Sequence, residues 1–467
     1  MNLTLNQLTD IIAGRLRFGR GVAAQAGDEV VGRVAGDSRV VAPGDLFWPL
    51  ERDPHIAARY TDEAFENGAW GVVTDNAAVS PPDHGFVIHV DDAKWALWQV
   101  ARDARLPFRG MMIQVSGIVG KSVTARMIDG ALSARLHGTA SSSDLPKPAA
   151  VALALLDVDA SAEYAVVETP FNSAAEVAAN SHLCCPDIIA ITSLERSLPS
   201  GFDSEAELVD SIRTLITRLP SNGLAILNGD DPICRRLGRL RKAGVVWVGR
   251  GSDCNVAARD VQTHDGRVSF NLDGQDFELP IWGRHFVTSA LAAIVVARRC
   301  GLQDAEIAAA LRGFRPLPQR CEVCYVGDIC VVNDTSGARP VDTLAALDVL
   351  WECTARRRVV VVGELSVTRS AEAAFIGEAI AYRVAADRLI TFGNMAESVA
   401  RGARGAGLPA GRVEVCEDLE TARKRIADVV EPGDAVLVKG NRASHPIVDQ
   451  IIAGQRELQT NGRDRRP

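Results

Sequence analysis

The chain has 467 residues, 47% of them apolar and 24% charged, with a net charge of −8 and an isoelectric point near 5.6. That length and balance can fill several packed cores and exclude a wholly disordered chain. The acidic balance argues against a broad nucleic-acid surface, no apolar run reaches the roughly 18 residues of a membrane span, and the start MNLTLNQLTD lacks a signal peptide's basic and apolar runs, so a cytoplasmic protein without nucleic-acid or membrane partners is expected.

Three blocks follow in chain order. In residues 1–106, GDLFWPL, GAWGVVTD and GFVIHV read as strands closed by Gly, Pro and Asp, and TDEAFENGA reads as a helix ending at Gly68. Residues 107–316 open on the apolar run MMIQVSG. They alternate strands (YAVVE, DIIAITS, LAILN) with helical stretches (KSVTARMIDGALSARL, AELVDSIRTLITRL). Such alternation predicts a parallel sheet covered on both faces, an α/β fold. The segment RPLPQR (315–320) punctuates the chain as a hinge. Residues 317–457 repeat the theme with ICVVND, PVDTLAALDVLWE, RRVVVVGE, RLITFG and DAVLVKG, and 458–467 form a polar tail. The ten cysteines are scattered. Cys321 and Cys324 make a lone CxxC in CEVCYVGDICVV, which reads as a hairpin turning at Gly327-Asp328. Small apolar residues are expected there ahead of a zinc site.

The sharpest local signal is Gly117-Ile118-Val119-Gly120-Lys121-Ser122, between a strand and a helix. Two glycines permit a tight turn, the helix start is positive, Lys121 can reach terminal phosphates and Ser122 can ligand Mg2+. The bland alternative is a strand-to-helix turn with a chance lysine. Glu168, ending the strand YAVVE, sits where parallel sheets hold ligands and suits Mg2+, or is a solvated strand-end acid. Asn228 and Asp230 in LNGDDP face nucleotide or cap the next element. Lys439 is a phosphate-facing cation or a surface lysine. His285 in GRHF packs near adenine or sits at a helix start. Trp48 reshapes an N-terminal pocket or fills the core.

Taken together, GDSRVVAPGDLFWPL, VSGIVGKSVTARM, LPSNGLAILNGDDP, GRHFVTSALAA, RPLPQRCEV, VVNDTSGARPVDTLAALDVL and GDAVLVKGNRASHPIVDQI resemble, in order and spacing, the Mur ligase family and its MurF branch. The resemblance implies three domains: an N-terminal uridine-nucleotide- or substrate-binding-like domain (1–106), a central parallel-sheet P-loop ATPase domain (107–316) and a Rossmann-like C-terminal domain (317–457). It also implies an ATP- and Mg2+-dependent ligase for small-molecule carboxylate and amine substrates. Such an enzyme phosphorylates the carboxylate and lets the amine attack the acyl phosphate. Carried over by residue, Gly117, Gly120 and Lys121 hold phosphate, and Ser122 and Glu168 hold Mg2+. Arg320 and Asp334 contact the ribose of the nucleotide, with Asn228 and His285 kept as candidates for the nucleotide on their own reading. Asp37, Ser38 and Arg39 line the N-terminal nucleotide pocket. Asp144 and Lys147 fall in the donor-substrate loop and Arg339 in the acceptor loop, with Lys439 a further substrate-binding candidate.

The same resemblance marks where the chain departs from its family. Thr-Asn between the loop glycines is Ile118-Val119, and the threonine after the metal-binding hydroxyl is Val123. A metal-binding histidine falls at Leu198, a carbamylated lysine near Ile212, and an Asn pair at Phe286 and Ser289. The donor loop reads Asp144-Leu145-Pro146-Lys147-Pro148, the N-terminal Asp-Gly-His is missing around Ile56–Ala58, and the acceptor loop reads DTSGARP (334–340). Apolar side chains beside a dication leave its charge uncompensated, so one Mg2+ or none is expected in place of two. Three readings follow: a Mur-type ligase with a diverged substrate; a noncatalytic relative that binds a nucleotide or a partner ligase; and MurF-type addition of D-Ala-D-Ala to UDP-MurNAc-tripeptide.

Overall fold

The structure, a computed structural model, describes residues 3–23, 25–51, 53–141, 149–194, 201–237, 244–367 and 369–463. The chain divides into two compact units, one of residues 1–257 and 288–307, the other of 258–287 and 308–467.

The first unit carries two sheets. The five-stranded one runs Arg15–Phe18, Phe86–His89, Gly71–Thr74, Leu46–Phe47, Val34–Ala35, parallel except for its first pair. The helix expected up to Gly68 is Pro54–Glu66. It begins earlier than the periodicity indicated because Asp53 caps it, accepting from the amides of His55 and Ile56, and Pro54 presets its first turn. The seven-stranded sheet runs Val256–Ala257, Val245–Gly249, Leu224–Asn228, Ile188–Ile191, Met111–Ser116, Tyr164–Glu168, Gly138–Ala140. It is parallel throughout, as the strand–helix alternation requires.

One apolar core joins the first two blocks. Leu97, Val100 and Phe108 cluster with Met112, Val151, Leu155, Val167 and Leu183. Trp48 lies inside it, fully buried, with its indole N–H donating to the carbonyl of Ala93 at 2.8 Å, so of its two readings the core one holds. A second core, on Ile118, Ile191, Leu194, Phe202, Ile212 and Leu227, fills the space beside helix Glu205–Arg218.

The second unit has an antiparallel three-stranded sheet, Arg259–His264, Arg267–Leu272 and Gln275–Leu279, that the strand reading passed over. Its turns are Asp265-Gly266 and Asp273-Gly274, all four residues at positive φ, the geometry that favours Asp-Gly in two-residue hairpins. The six-stranded sheet runs Glu322–Val326, Ile329–Asp334, Asp434–Lys439, Arg357–Val362, Arg388–Thr391, Val413–Val415. Only its first pair is antiparallel, the hairpin anticipated at Gly327-Asp328. Cys330 is buried in that hairpin and all ten cysteines are free thiols. Among the described residues no group of three or more His, Cys, Asp or Glu is arranged to hold a metal, and no helix is long and apolar enough to cross a membrane.

Candidate active site

Strand Met111–Ser116 is an interior strand of the seven-stranded sheet, between Ile188–Ile191 and Tyr164–Glu168, and its carboxyl end runs directly into the glycine loop. Gly117 has φ +128, and a Cβ on it would meet Thr192 Oγ1 at 2.3 Å, so both conformation and space require glycine. Gly120, at φ +87, caps helix Lys121–Leu132 with nothing nearer than 4.0 Å to a Cβ, so only its backbone angle asks for glycine. The amides of Ile118 and Val119 both donate to the carbonyl of Ser193, at 2.8 and 3.1 Å. Fewer loop amides are therefore open to an anion than the loop's length implied. Those that stay open are at the helix start, where first-turn amides have no intrahelical acceptor and the dipole favours negative charge.

Lys121 lies back across the loop, its ammonium donating to the carbonyls of Gly117 at 2.9 Å and Ile118 at 3.3 Å. Ser122 Oγ donates to Glu168 Oε2 at 2.9 Å. The neighbouring strands bring these two together, since Glu168 is in register with Val115 at the sheet's carboxyl edge. The Glu168 amide is fixed by Ser141 Oγ at 2.9 Å, and Thr124 Oγ1 donates to Ser289 Oγ at 2.8 Å.

The sequence reading missed what braces the loop. Asp231 is buried and accepts from Ser193 Oγ at 3.1 Å and the Leu194 amide at 2.8 Å, while capping the short helix Pro232–Arg235. Ser193 in turn takes the two loop amides. An Asp before a Pro is a visible cap signal, but its link to Ser193 spans 38 residues and leaves no local pattern. Asn228 serves its own turn, its Oδ1 accepting the Asp230 amide at 3.0 Å, while Asp230 accepts the amides of Arg250 and Gly251.

Ile118, Leu194, Phe202 and Ile212 share one apolar cluster with Val119 packed against it. Two positions at which the family resemblance expects polar or charged groups, 118 and 212, thus belong to a single hydrophobic body. Leu198, Asp144 and Lys147 lie outside the described residues.

At the N-terminal turn, Asp37 and Arg39 pair with each other, Nε at 2.9 Å and Nη2 at 2.6 Å, and the guanidinium holds the Asp37 carboxyl below its ordinary range. Ser38 is buried. Its hydroxyl donates to Glu63 Oε2 at 2.7 Å and its carbonyl accepts from Asn67 Nδ2 at 3.0 Å.

In the second unit His285 occupies a 3-10 turn before helix Val287–Arg299, its ring against Phe286. Arg339 precedes helix Pro340–Glu352, its carbonyl accepting the amide and hydroxyl of Thr343. The surface reading of Lys439 is corrected: its side chain is fully buried, with Nζ 2.5 Å from Asp334 Oδ2. Adjacent parallel strands place residues 334 and 439 in register, so the two charges meet inside the sheet. Burial raises the Asp334 carboxyl above its ordinary range and Lys439 opposes that rise.

Known proteins resemble this chain over most of its length. Residues 115–297 match the Mur ligase middle domain and 319–442 the Mur ligase, glutamate ligase domain. The chain is 25% identical over 445 residues to the UDP-N-acetylmuramoyl-tripeptide–D-alanyl-D-alanine ligase of Bacillus subtilis, covering 94% of this chain and 95% of the relative. It is also 25% identical over 474 residues to the Escherichia coli protein of that name, covering 99% of each. Among solved structures, MurF from Acinetobacter baumannii superposes with a TM-score of 0.80 at 19% identity, covering 98% of this chain and 99% of that one. MurF from Thermotoga maritima in complex with ADP superposes with 0.72 at 19% identity, covering 92% and 99%. The chain belongs to the Mur ligase family, the ATP-dependent, ADP-forming ligases that join a carboxylate to an amine.

Proposed function

We propose that this protein activates a carboxylate as an acyl phosphate at the Lys121–Ser122–Glu168 site and transfers the acyl group to an amine, on a substrate that differs from those of its named relatives. The observation that carries this reading is the Ser122–Glu168 hydrogen bond of 2.9 Å at the start of the helix behind Lys121. The donor carboxylate attacks the γ-phosphorus of ATP and ADP departs. The amine then attacks the acyl carbon, loses a proton, and inorganic phosphate departs.

The protein's share is positioning and charge. Lys121 exchanges the carbonyls of Gly117 and Ile118 for phosphate oxygens. The helix start receives further phosphate oxygens. Ser122 Oγ and Glu168 suit one Mg2+, a hard cation that prefers few protein oxygens. When bound, that ion supplies positive charge that offsets the phosphates. The side chains of the apolar cluster at Ile118 and Ile212 offer a second ion no oxygen, which supports one ion in place of two. Arg320 is assigned to the nucleotide and the 37–39 turn to the donor, and substitution at each position tests the assignment.

The same apolar cluster favours a second reading, a noncatalytic nucleotide-binding relative. Purified protein incubated with MgATP and pools of acids and amines, scored for ADP release beside Lys121→Ala, separates the two. Substrate-dependent ADP that vanishes in K121A supports the ligase. ATP binding without turnover in any pool supports the noncatalytic protein. Turnover confined to UDP-MurNAc-tripeptide and D-Ala-D-Ala would restore the relatives' substrates.

A further inference from the structure

Residues 319 and 321 are the feature of the second unit that the reaction leaves unexplained. Gln319 and Cys321 are non-glycine residues at φ +61 and +50, on either side of Arg320. Left-handed backbone at two such positions in three residues persists only where surroundings enforce it. The half-buried Arg320 side chain has no hydrogen-bond or ion-pair partner among the described residues, so the strain serves no such contact with them.

What enforces the turn is a chain of polar contacts at the carboxyl end of strand Ile329–Asp334. The Cys321 amide donates to Asp334 Oδ1 at 3.1 Å, and Lys439 Nζ meets Oδ2 at 2.5 Å. On the other side of Arg320, the Gln319 amide donates to Glu322 Oε2 at 2.9 Å, an oxygen that also accepts Asn333 Nδ2 at 3.1 Å. Asn333 Oδ1 accepts Thr335 Oγ1, and the Gln319 carbonyl accepts the Ser336 amide. Lys439 is fully buried and Asp334 nearly so. Each therefore depends on the other for its charge, and removing one strands the other.

We propose that Lys439 is a positioning residue: through Asp334 it clamps the 318–321 turn and fixes the direction in which Arg320 presents its guanidinium to the nucleotide. This rests on the assignment of Arg320 to the nucleotide. Lys439 then touches no substrate, and Asp334 acts through Cys321.

Two measurements on the full chain test it. Amide hydrogen exchange of residues 318–322 is compared between wild type and Lys439→Met. The charge-free pair Asp334→Val with Lys439→Met serves as the second variant, since removing both charges leaves neither stranded. Exchange at Cys321 is expected to rise about tenfold or more, the scale of a lost hydrogen bond to a charged group. Unchanged exchange in the folded variants overturns the clamp. MgADP affinity is then measured for K439M, Arg320→Ala and their combination. K439M should weaken MgADP about tenfold in the wild-type background and leave it unchanged when Arg320 is already gone. A loss of equal size in both backgrounds overturns action through Arg320. If R320A alone leaves MgADP affinity intact, the nucleotide assignment of Arg320 fails, while exchange still judges the clamp.

Discussion

The two loop glycines look alike in sequence and should respond differently to the same substitution. In Gly117→Ala the new methyl would lie 2.3 Å from Thr192 Oγ1, 3.1 Å from Thr192 N and 3.3 Å from Ser193 O. Thr192 has little room to retreat, since its hydroxyl donates to the carbonyl of Ser116 at 3.2 Å. Overpacking of this kind costs about 1–3 kcal/mol. A side chain forced to φ +128 adds about 1–3 kcal/mol. In Gly120→Ala the nearest atoms are 4.0 Å away, so only the left-handed backbone costs anything, about 1–2 kcal/mol. The difference of about 1–4 kcal/mol can be read by urea titration with pulsed hydrogen exchange on strand Met111–Ser116, which follows the first unit alone. G117A should lower the midpoint well beyond G120A. It should also displace the amides held by Ser193, and so weaken MgADP more. Equal midpoints, or a milder G117A, would refute the idea that Thr192 crowds position 117 while position 120 stands clear.

Glu168→Gln keeps the acceptor for Ser122 Oγ and drops the charge. ATP-dependent turnover should fall about 10²–10³-fold while metal-free nucleotide binding, followed by calorimetry, changes little. Titration of Mn2+ into the complex with a nonhydrolysable ATP analogue, read by electron paramagnetic resonance, should saturate at about one ion per chain; two would contradict the apolar account of Ile118 and Ile212. Asp304 is paired twice with Arg298, at 2.8 Å each, and the guanidinium lowers its carboxyl below the ordinary range. A lowered acid stabilises the fold above its unfolded pKa and stops doing so as pH falls through its folded one. Asp304→Asn should therefore destabilise by about 0.5 kcal/mol at about pH 7, discounted for exposure. That difference should close below about pH 4 in thermal melts.

Regular periodicity made the large sheets legible: runs such as MMIQVS, YAVVE and RRVVVV became strands almost residue for residue. The glycine loop was legible because its signal is local, a few residues between a strand and a helix. The small sheet at 259–279 was announced by two Asp-Gly pairs and by the alternation of Val268, Phe270 and Leu272, while its edge strand RDVQTH carries little apolar signal. What no local pattern could give was pairing at long range. Lys439 reads as a surface cation until strand register sets it beside Asp334, 105 residues earlier. Ser38 and Glu63 meet because a helix folds back on a turn, and Asp231 reaches Ser193 only once the sheet exists.

The continuous core between the first two blocks bears on how such proteins can be rebuilt. Leu97 and Val100 share one cluster with Val151 and Leu155, so a cut near residue 106 would bare greasy faces on both fragments. Either piece expressed alone should clump, and chimeras that trade the amino-terminal block between relatives will need to carry the contacting helix Ala150–Leu156 along with it.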